Sequence, residues 1–591
     1  MARAEGMRLC RRVRRGMTKH MARIGRVLSA YRKPLALALI HWFLSTVFQV
    51  DRLYFSYSST TKYMVIVKGL YLLFLIAAWC FGFHAYGRIR ERDAAYVRGA
   101  QVFAVHGVVM MLLTLFLWPG TWIWDDLSTL FAIEGYTTFH PWQHIITSIY
   151  QCVLLQVLPF PGGIILLQQL IISVTTAFIV VQIERTFNIK RLRLALPDIL
   201  LKLIPFLLPP VLMYQFSGYR IGLYIYLELA MLVMLLSASS SDAPWTWGRC
   251  LLFCFLAVVA STWRTESLVY IPFICLCLIL RRKKLLNVRC VTCLVLIVAG
   301  FLGMNRWQSA EQGNNDYLLI SLLRPGAVLV RAADPETDAD ELEAIDKVMD
   351  VQIILDNPGM HGEALYWNTP VLRNSNGDAE DDYTDAEYSE FMKAFIKLSL
   401  KHPGPVFDER WNIFVATSNI DGRATMNVCD SAFLFESWNT NQIAKNAFAR
   451  GWYAFSPVFK EARVSLINLL KGCAPDSGPG PEANRIIWNS AVPILILTLG
   501  WICLAVRRKW YAFIVASAVV LKIPVVILTE PSRMFMYLLS FYFLGYVCLT
   551  FAIWMLVGRK GKVDNDEENT AVHTDVQLPA SDPAGARSID G

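Results

Sequence analysis

Asp125 and Asp126 stand side by side in WPGTWIWDDLSTLFAIEGYTTFHPW, residues 118–142, just past a strongly apolar run and among tryptophans. A carboxylate within reach of a hydroxyl takes its proton as the oxygen attacks, so the pair is a candidate general base and its neighbour. His140 opens the HPW that closes the stretch, where a histidine before proline caps a helix start or touches substrate. Two further charged pairs occupy tight turns between apolar runs: Arg264 and Glu266 in STWRTES, and Glu530 and Arg533 in TEPSR. Taken singly, each pair reads as solvated residues at a membrane surface. Ionisable groups at membrane depth are costly and tend to face a cavity, so their gathering at one face would make them substrate-binding candidates.

The elements that must position these groups are membrane helices. The chain has 591 residues, 55% of them hydrophobic and 13% aromatic, with only 17% charged, which excludes an ordinary water-soluble domain. Apolar stretches of roughly 17–25 residues recur along it, with Trp and Tyr at their ends. The net charge of +9 does not argue for nucleic acid, because the basic residues collect in short segments beside the apolar runs. Twelve crossings are expected, at 34–50, 63–86, 100–118, 162–183, 196–215, 220–237, 249–263, 267–280, 288–304, 486–505, 511–528 and 534–557. The basic clusters GRIRER, ERTFNIKRLR, RRKKLLNVR, RRKW and GRKGK then fall on one side with the basic arm 1–33, so both termini are expected in the cytoplasm. This holds if 143–158, QHIITSIYQCVLLQVL, lies in or dips into the interface; the alternative is a thirteenth crossing.

Between 305 and 485 the apolar runs stop and acids and turn signals become frequent, as expected of a mainly helical extracytoplasmic domain. Residues 558–591 read as a disordered cytoplasmic tail. Most cysteines lie in apolar segments. Cys290 and Cys293 form a CxxC with no partner pair in the sequence, and Cys429 and Cys473 are either a single disulfide or unpaired. Lys202, Glu228 and Lys522, within the membrane, either sit near helix ends or snorkel to the surface, and carry little functional weight.

A basic amino terminus, an early outward loop with acids in WDD, a following HPW that opens an interfacial helix, many spans and a late soluble segment resemble the GT-C membrane glycosyltransferases, such as the protein O-mannosyltransferases and aminoarabinose transferases. The resemblance implies that this all-α polytopic protein is a GT-C-like helical bundle; a plasma membrane is expected, with the endoplasmic reticulum as the alternative. Its donor would be a polyprenyl-phosphate sugar, and its acceptor an envelope glycan, lipid or protein on the extracytoplasmic face. It implies that Asp125 or Asp126 accepts the acceptor's proton or, in metal-dependent members, holds a divalent cation. The leaving phosphate asks for a guanidinium fork, for which Arg264 is the better candidate and Arg533 the second. Trp122, Trp124, Trp142 and Trp263 would stack on a sugar or anchor helix ends. There is no WWDYG stretch in 305–485, which disfavours peptide asparagine as acceptor. Two rivals remain: an envelope polysaccharide ligase or polymerase leaning on Arg324, His361, His402 and Arg410, and a transporter or lipid flippase with charged or broken-helix sites at mid-membrane.

Overall fold

The computed structural model describes residues 31–122, 124–139, 143–240, 245–281, 287–312, 317–360, 362–373, 383–424, 457–472 and 482–572. These are helical, and among them no strand forms; two isolated bridges are the only extended pairings. In chain order the bundle begins with α1 (31–47), α2 (Lys62–Arg90), α3 (Ala94–Leu117), α4 (Trp124–Ile133), α5 (Ile145–Val157) and α6 (Pro161–Thr186). It continues with α7 (Ala195–Leu203), α8 (Pro209–Gln215), α9 (Arg220–Ser240), α10 (Trp247–Thr262), α11 (Tyr270–Leu280) and α12 (Asn287–Gln312). Then come α13 (Tyr317–Ala332), α14 (Ala339–Asp346), α15 (Val351–Asp356), α16 (Glu363–Asn368), α17 (Asp385–Lys401), α18 (Pro403–Thr417) and α19 (Lys460–Lys471). The chain closes with α20 (Glu482–Ile487), α21 (Ala491–Val506), α22 (Trp510–Val520), α23 (Lys522–Thr529) and α24 (Leu539–Val572).

Eight helices or helix runs among the described residues are long and apolar enough to cross a bilayer, so this is an all-α, multi-pass membrane protein. All eight coincide with expected spans. The 196–215 span differs: α7 and α8 meet at a bend of 77°. Pro205 removes a helix N–H and crowds the turn before it, Pro209 holds Leu208 in an extended conformation, and Pro209 and Pro210 then start α8 in a new direction. The expected spans at 249–263 and 267–280 are helices of 16 and 11 residues, shorter than a full crossing. The last helix runs to Val572, into the segment read as tail.

α9 is the axis of the bundle: 94% of its apolar window is enclosed by protein, against 17% for α2. It packs on α6, α10 and α24, while α3 lies along α6. α5 is not the interfacial helix of the sequence reading. Ile145, Thr147, Ser148, Gln151 and Gln156 are all buried, and the helix packs among α2, α4 and α6. Gln156 and Thr147 find partners there, as does the helix's first N–H, whereas both amide atoms of Gln151 find none among the described residues. Lys68 Nζ donates to Gln156 Oε1 (2.8 Å), Trp263 Nε1 to Thr147 Oγ1 (2.9 Å), and Gln308 Oε1 accepts the Ile145 N–H (2.7 Å).

The charges expected to sit near helix ends or snorkel are also enclosed. Lys202 binds Glu184 and Asp198, each at 2.9 Å, in a knot completed by Arg98, and Lys522 binds Glu228 at 2.9 Å. The CxxC does have a partner pair: Cys250 and Cys254 on α10 meet Cys293 on α12, with Cys254 Sγ 3.9 Å from the Cys293 carbonyl. Cys429 lies outside the described residues, as does Cys473.

Residues 319–398 enclose a second hydrophobic core around Leu323, Met349, Leu365, Phe391 and Leu398. This cap contains α13 to α17, with a capping box of Thr384 and Glu387 opening α17. α19 belongs elsewhere: Ile467 and Leu470 join the core of the membrane bundle, with Trp488.

Candidate functional site

The loop after α3 is shaped by close approach. Gly120 has φ +97°, and a Cβ there would lie 2.6 Å from Ile165 and 2.8 Å from the Phe216 carbonyl oxygen. Only glycine lets Thr121 run beside 216–218, where its N–H donates to Phe216 (2.7 Å) and its carbonyl accepts from Gly218 (3.3 Å). Gly218 in turn leaves room for Trp122 and Asp126. The Arg463 guanidinium, contributed by α19, donates from Nη2 to the Gly120 carbonyl at 2.6 Å.

From this platform α4 begins with both aspartates in its first turn, where the helix dipole favours them. Adjacent residues on a helix do not share a face, and the two side chains part company. Asp126 is fully buried and accepts from Ser217 Oγ at 3.3 Å; the same hydroxyl takes the Tyr219 N–H at 3.1 Å. Asp125 is exposed, and one of its oxygens accepts the Tyr219 hydroxyl at 3.0 Å. Burial, reinforced by both aspartates, pushes the Tyr219 phenol well above its ordinary value, so it remains a donor. Arg220 follows at once, half-buried, and makes no hydrogen bond or ion pair among the described residues. Its charge, added to burial, pushes His144 down to about 3, leaving a neutral ring that caps α5 by accepting from Ile146.

Opposite Asp125 stands the cap. Glu363 opens α16, and its carboxyl is pushed up by burial and by the Asp125 charge. Gly362, at φ +53°, backs onto the Pro531 carbonyl and Arg324. Arg324 and Arg410 both pair with Glu409, and Arg410 Nη1 also reaches the carbonyls of Glu530 (3.0 Å) and Leu528 (3.2 Å). Glu530 is 1% exposed, and burial pushes its carboxyl up to about 8. Arg533 is half-buried, and its guanidinium is pulled down by burial and by Arg324 and Arg423.

Asp125, Glu530 and Arg533 are therefore brought to one junction of bundle and cap. Arg264 and Glu266 are not among them. They pair with each other beneath Tyr537, whose ring lies 5.8 Å from the Arg264 guanidinium carbon, and Arg264 is 5% exposed. A guanidinium so occupied is not open to a phosphate, which corrects the preference for it. Trp122 and Trp263 are likewise buried in the core, neither free to stack on a sugar nor anchoring a helix end. His140 lies outside the described residues, as do Trp142 and His361. His402 binds Asp338 at 3.0 Å within the cap.

Among the described residues no three His, Cys, Asp or Glu converge as a metal site. A cleft of about 390 Å³ between α1 and α2, lined by Leu37, Leu44, Phe48 and Trp79, holds none of the site residues. Sequence reasoning missed Tyr219, Arg220 and Glu363. Arg220 did carry a signal, as a charge opening an apolar run directly after a turn, SGYR. Comparison of the chain with protein-family models, with characterised proteins and with solved structures returns no match.

Proposed function

We propose that the protein is a membrane glycosyltransferase moving a sugar from a polyprenyl-phosphate donor to a cell-envelope acceptor on the extracytoplasmic face, with both termini in the cytoplasm. The observation that carries the reading is Asp125: an exposed carboxylate, held by the Tyr219 hydroxyl at 3.0 Å, with Arg220, the residue after Tyr219, making no hydrogen bond or ion pair among the described residues. Asp125 takes the acceptor hydroxyl's proton as that oxygen bonds to the anomeric carbon. The bond from that carbon to the lipid phosphate breaks, the electron pair leaves with the phosphate, and Arg220 faces the growing negative charge. Asp126 holds the loop and touches neither reactant.

The test is transfer of radiolabelled sugar from polyprenyl-phosphate donors in membranes containing wild type, Asp125→Asn, Asp126→Asn or Arg220→Gln, with folding checked in detergent. Asp125→Asn should fold and lose about 10²–10⁴-fold in rate, the usual worth of a general base. If no donor is consumed, or Asp125→Asn transfers as wild type does, the reading fails. The convergence of Arg324 and Arg410 on Glu409 favours one rival, an envelope polysaccharide ligase. That enzyme would lose activity with Arg410→Gln and keep it with Asp125→Asn.

A further inference from the structure

Polar groups taken out of water without a partner are rare in folded proteins, and each needs an occupant or a reason. Several gather where α18 meets the 530–533 turn. Arg410 Nη2, both carboxyl oxygens of Glu530, Thr417 Oγ1 and Ser532 Oγ are buried and have no hydrogen-bond partner among the described residues. Arg410 is 4% exposed, Glu530 1% and Thr417 0%. Thr417 faces the Glu530 carboxyl, and Ser532 faces Glu363, without closing a hydrogen bond in either case.

We infer that this junction is an oxyanion pocket, built for the phosphate or carboxylate group of an anionic acceptor. The assignment to the acceptor rests on the glycosyltransferase reading; the pocket itself does not. Its open groups are nearly all donors: a guanidinium edge and two hydroxyls, with Glu530 as a further donor while it carries its proton. The charges that face Glu530 or its neighbours are Arg324 on α13, Glu409 and Arg410 on α18, Glu363 on α16, Arg533 in the turn, and Asp421 with Arg423 beyond α18. Four guanidiniums meet these three carboxylates and Asp125 beyond Glu363, so the junction carries no net negative charge once Glu530 is neutral. The cap contributes Arg324 and Glu363, and α18 beside it Arg410 and Thr417, so on the glycosyltransferase reading the pocket lies on the side from which an envelope acceptor arrives. The donor phosphate stays with its lipid, nearer Arg220 at the head of α9. Glu363 links the two, since it responds to Asp125 and faces Ser532.

The experiment is saturable protection of the full-length protein in detergent by inorganic sulfate, which does not titrate in the working range, read as thermal melting against equal ionic strength of chloride. Wild type should bind sulfate about tenfold more weakly at about pH 9 than at about pH 7, because the protonated fraction of a carboxyl titrating near 8 falls by that factor. Glu530→Gln keeps an N–H donor and should bind with no such pH dependence. Arg410→Gln should lose protection, and Thr417→Val, a milder change, should weaken it. No saturable protection in wild type, or unaltered protection in both folded variants, overturns the pocket. A short-chain polyprenyl phosphate that displaces sulfate competitively overturns the acceptor assignment. Because binding needs no transfer, a preparation that binds sulfate yet consumes no donor sinks the transferase reading and leaves the pocket standing.

Discussion

Replacing Lys522 by methionine should be among the most damaging single changes in this chain. Glu228, on the enclosed helix α9, gives one oxygen to Lys522 Nζ (2.9 Å), the Tyr224 hydroxyl (3.0 Å) and the Tyr270 hydroxyl (2.5 Å), and the other to Ser540. Lys522 also bonds the Tyr224 oxygen at 3.1 Å and lies 4.9 Å from that ring's centre. Both charges are within 1% of complete burial. Methionine matches the lysine stem in volume but removes the only cation touching that carboxylate among the described residues. Breaking one half of such a pair costs about 3–5 kcal/mol, because the remaining charge stays buried and uncompensated. Glu228→Gln combined with Lys522→Met should recover most of the loss, to within about 1–2 kcal/mol of wild type, since an amide can still meet the three hydroxyls. The assay is equilibrium unfolding in mixed micelles of the wild type, both single variants and the double variant, giving the coupling energy directly. A single Lys522→Met that costs less than about 1 kcal/mol, or a double variant whose losses simply add, would refute the closed-network account. Rescue in the double variant would also tell against a transporter site, where the charges themselves must remain available to a passing ion.

Gly218→Ala should destabilise by about 1–3 kcal/mol, since its new methyl meets the Trp122 ring at 2.5 Å and Asp126 Cβ at 3.1 Å, and unfolding midpoints would show it. Tyr219→Phe should lower kcat about 10- to 150-fold with KM for the acceptor unchanged, the worth of about 1.5–3 kcal/mol for a hydrogen bond to a charged group; a KM effect alone would refute its positioning role. For Glu530, the folded carboxyl titrates near 8, above its unfolded value of about 4.3, so the folded state holds the extra proton. Its contribution to stability is complete below the unfolded value and lost as pH rises through 8, so Glu530→Gln should flatten the fall in melting temperature between about pH 5 and about pH 8.

The eight long helices were legible because a run of apolar residues is a property of one segment. Whether a polar residue inside such a run faces lipid or a partner is not. Lys522 and Glu228 are 294 residues apart, and nothing local distinguishes a lysine that reaches for the membrane surface from one that reaches for a carboxylate. Cys290 and Cys293 look solitary for the same reason, since Cys250 and Cys254 meet them only through the packing of α10 on α12. The break between α7 and α8 is written locally, in three prolines, but a hydropathy average over the run hides it.

The site divides along the same line. Two adjacent aspartates in a nest of tryptophans announce themselves, but the assignment of one to the loop and the other to solvent is made by Ser217 and Tyr219, more than ninety residues on. That division carries a consequence for mutagenesis. Asp126→Asn and Asp125→Asn are equal in the sequence, yet the first alters a fully buried hydrogen bond, while the second changes an exposed group whose hydrogen bond from Tyr219 an amide oxygen can still accept. If Asp125 is the base, stability and activity separate between the two variants: Asp126→Asn loses melting temperature and drags activity down with it, whereas Asp125→Asn melts as wild type does and fails only in turnover. A catalytic pair acting jointly would not separate in this way, since either substitution would abolish turnover in a protein that still melts normally.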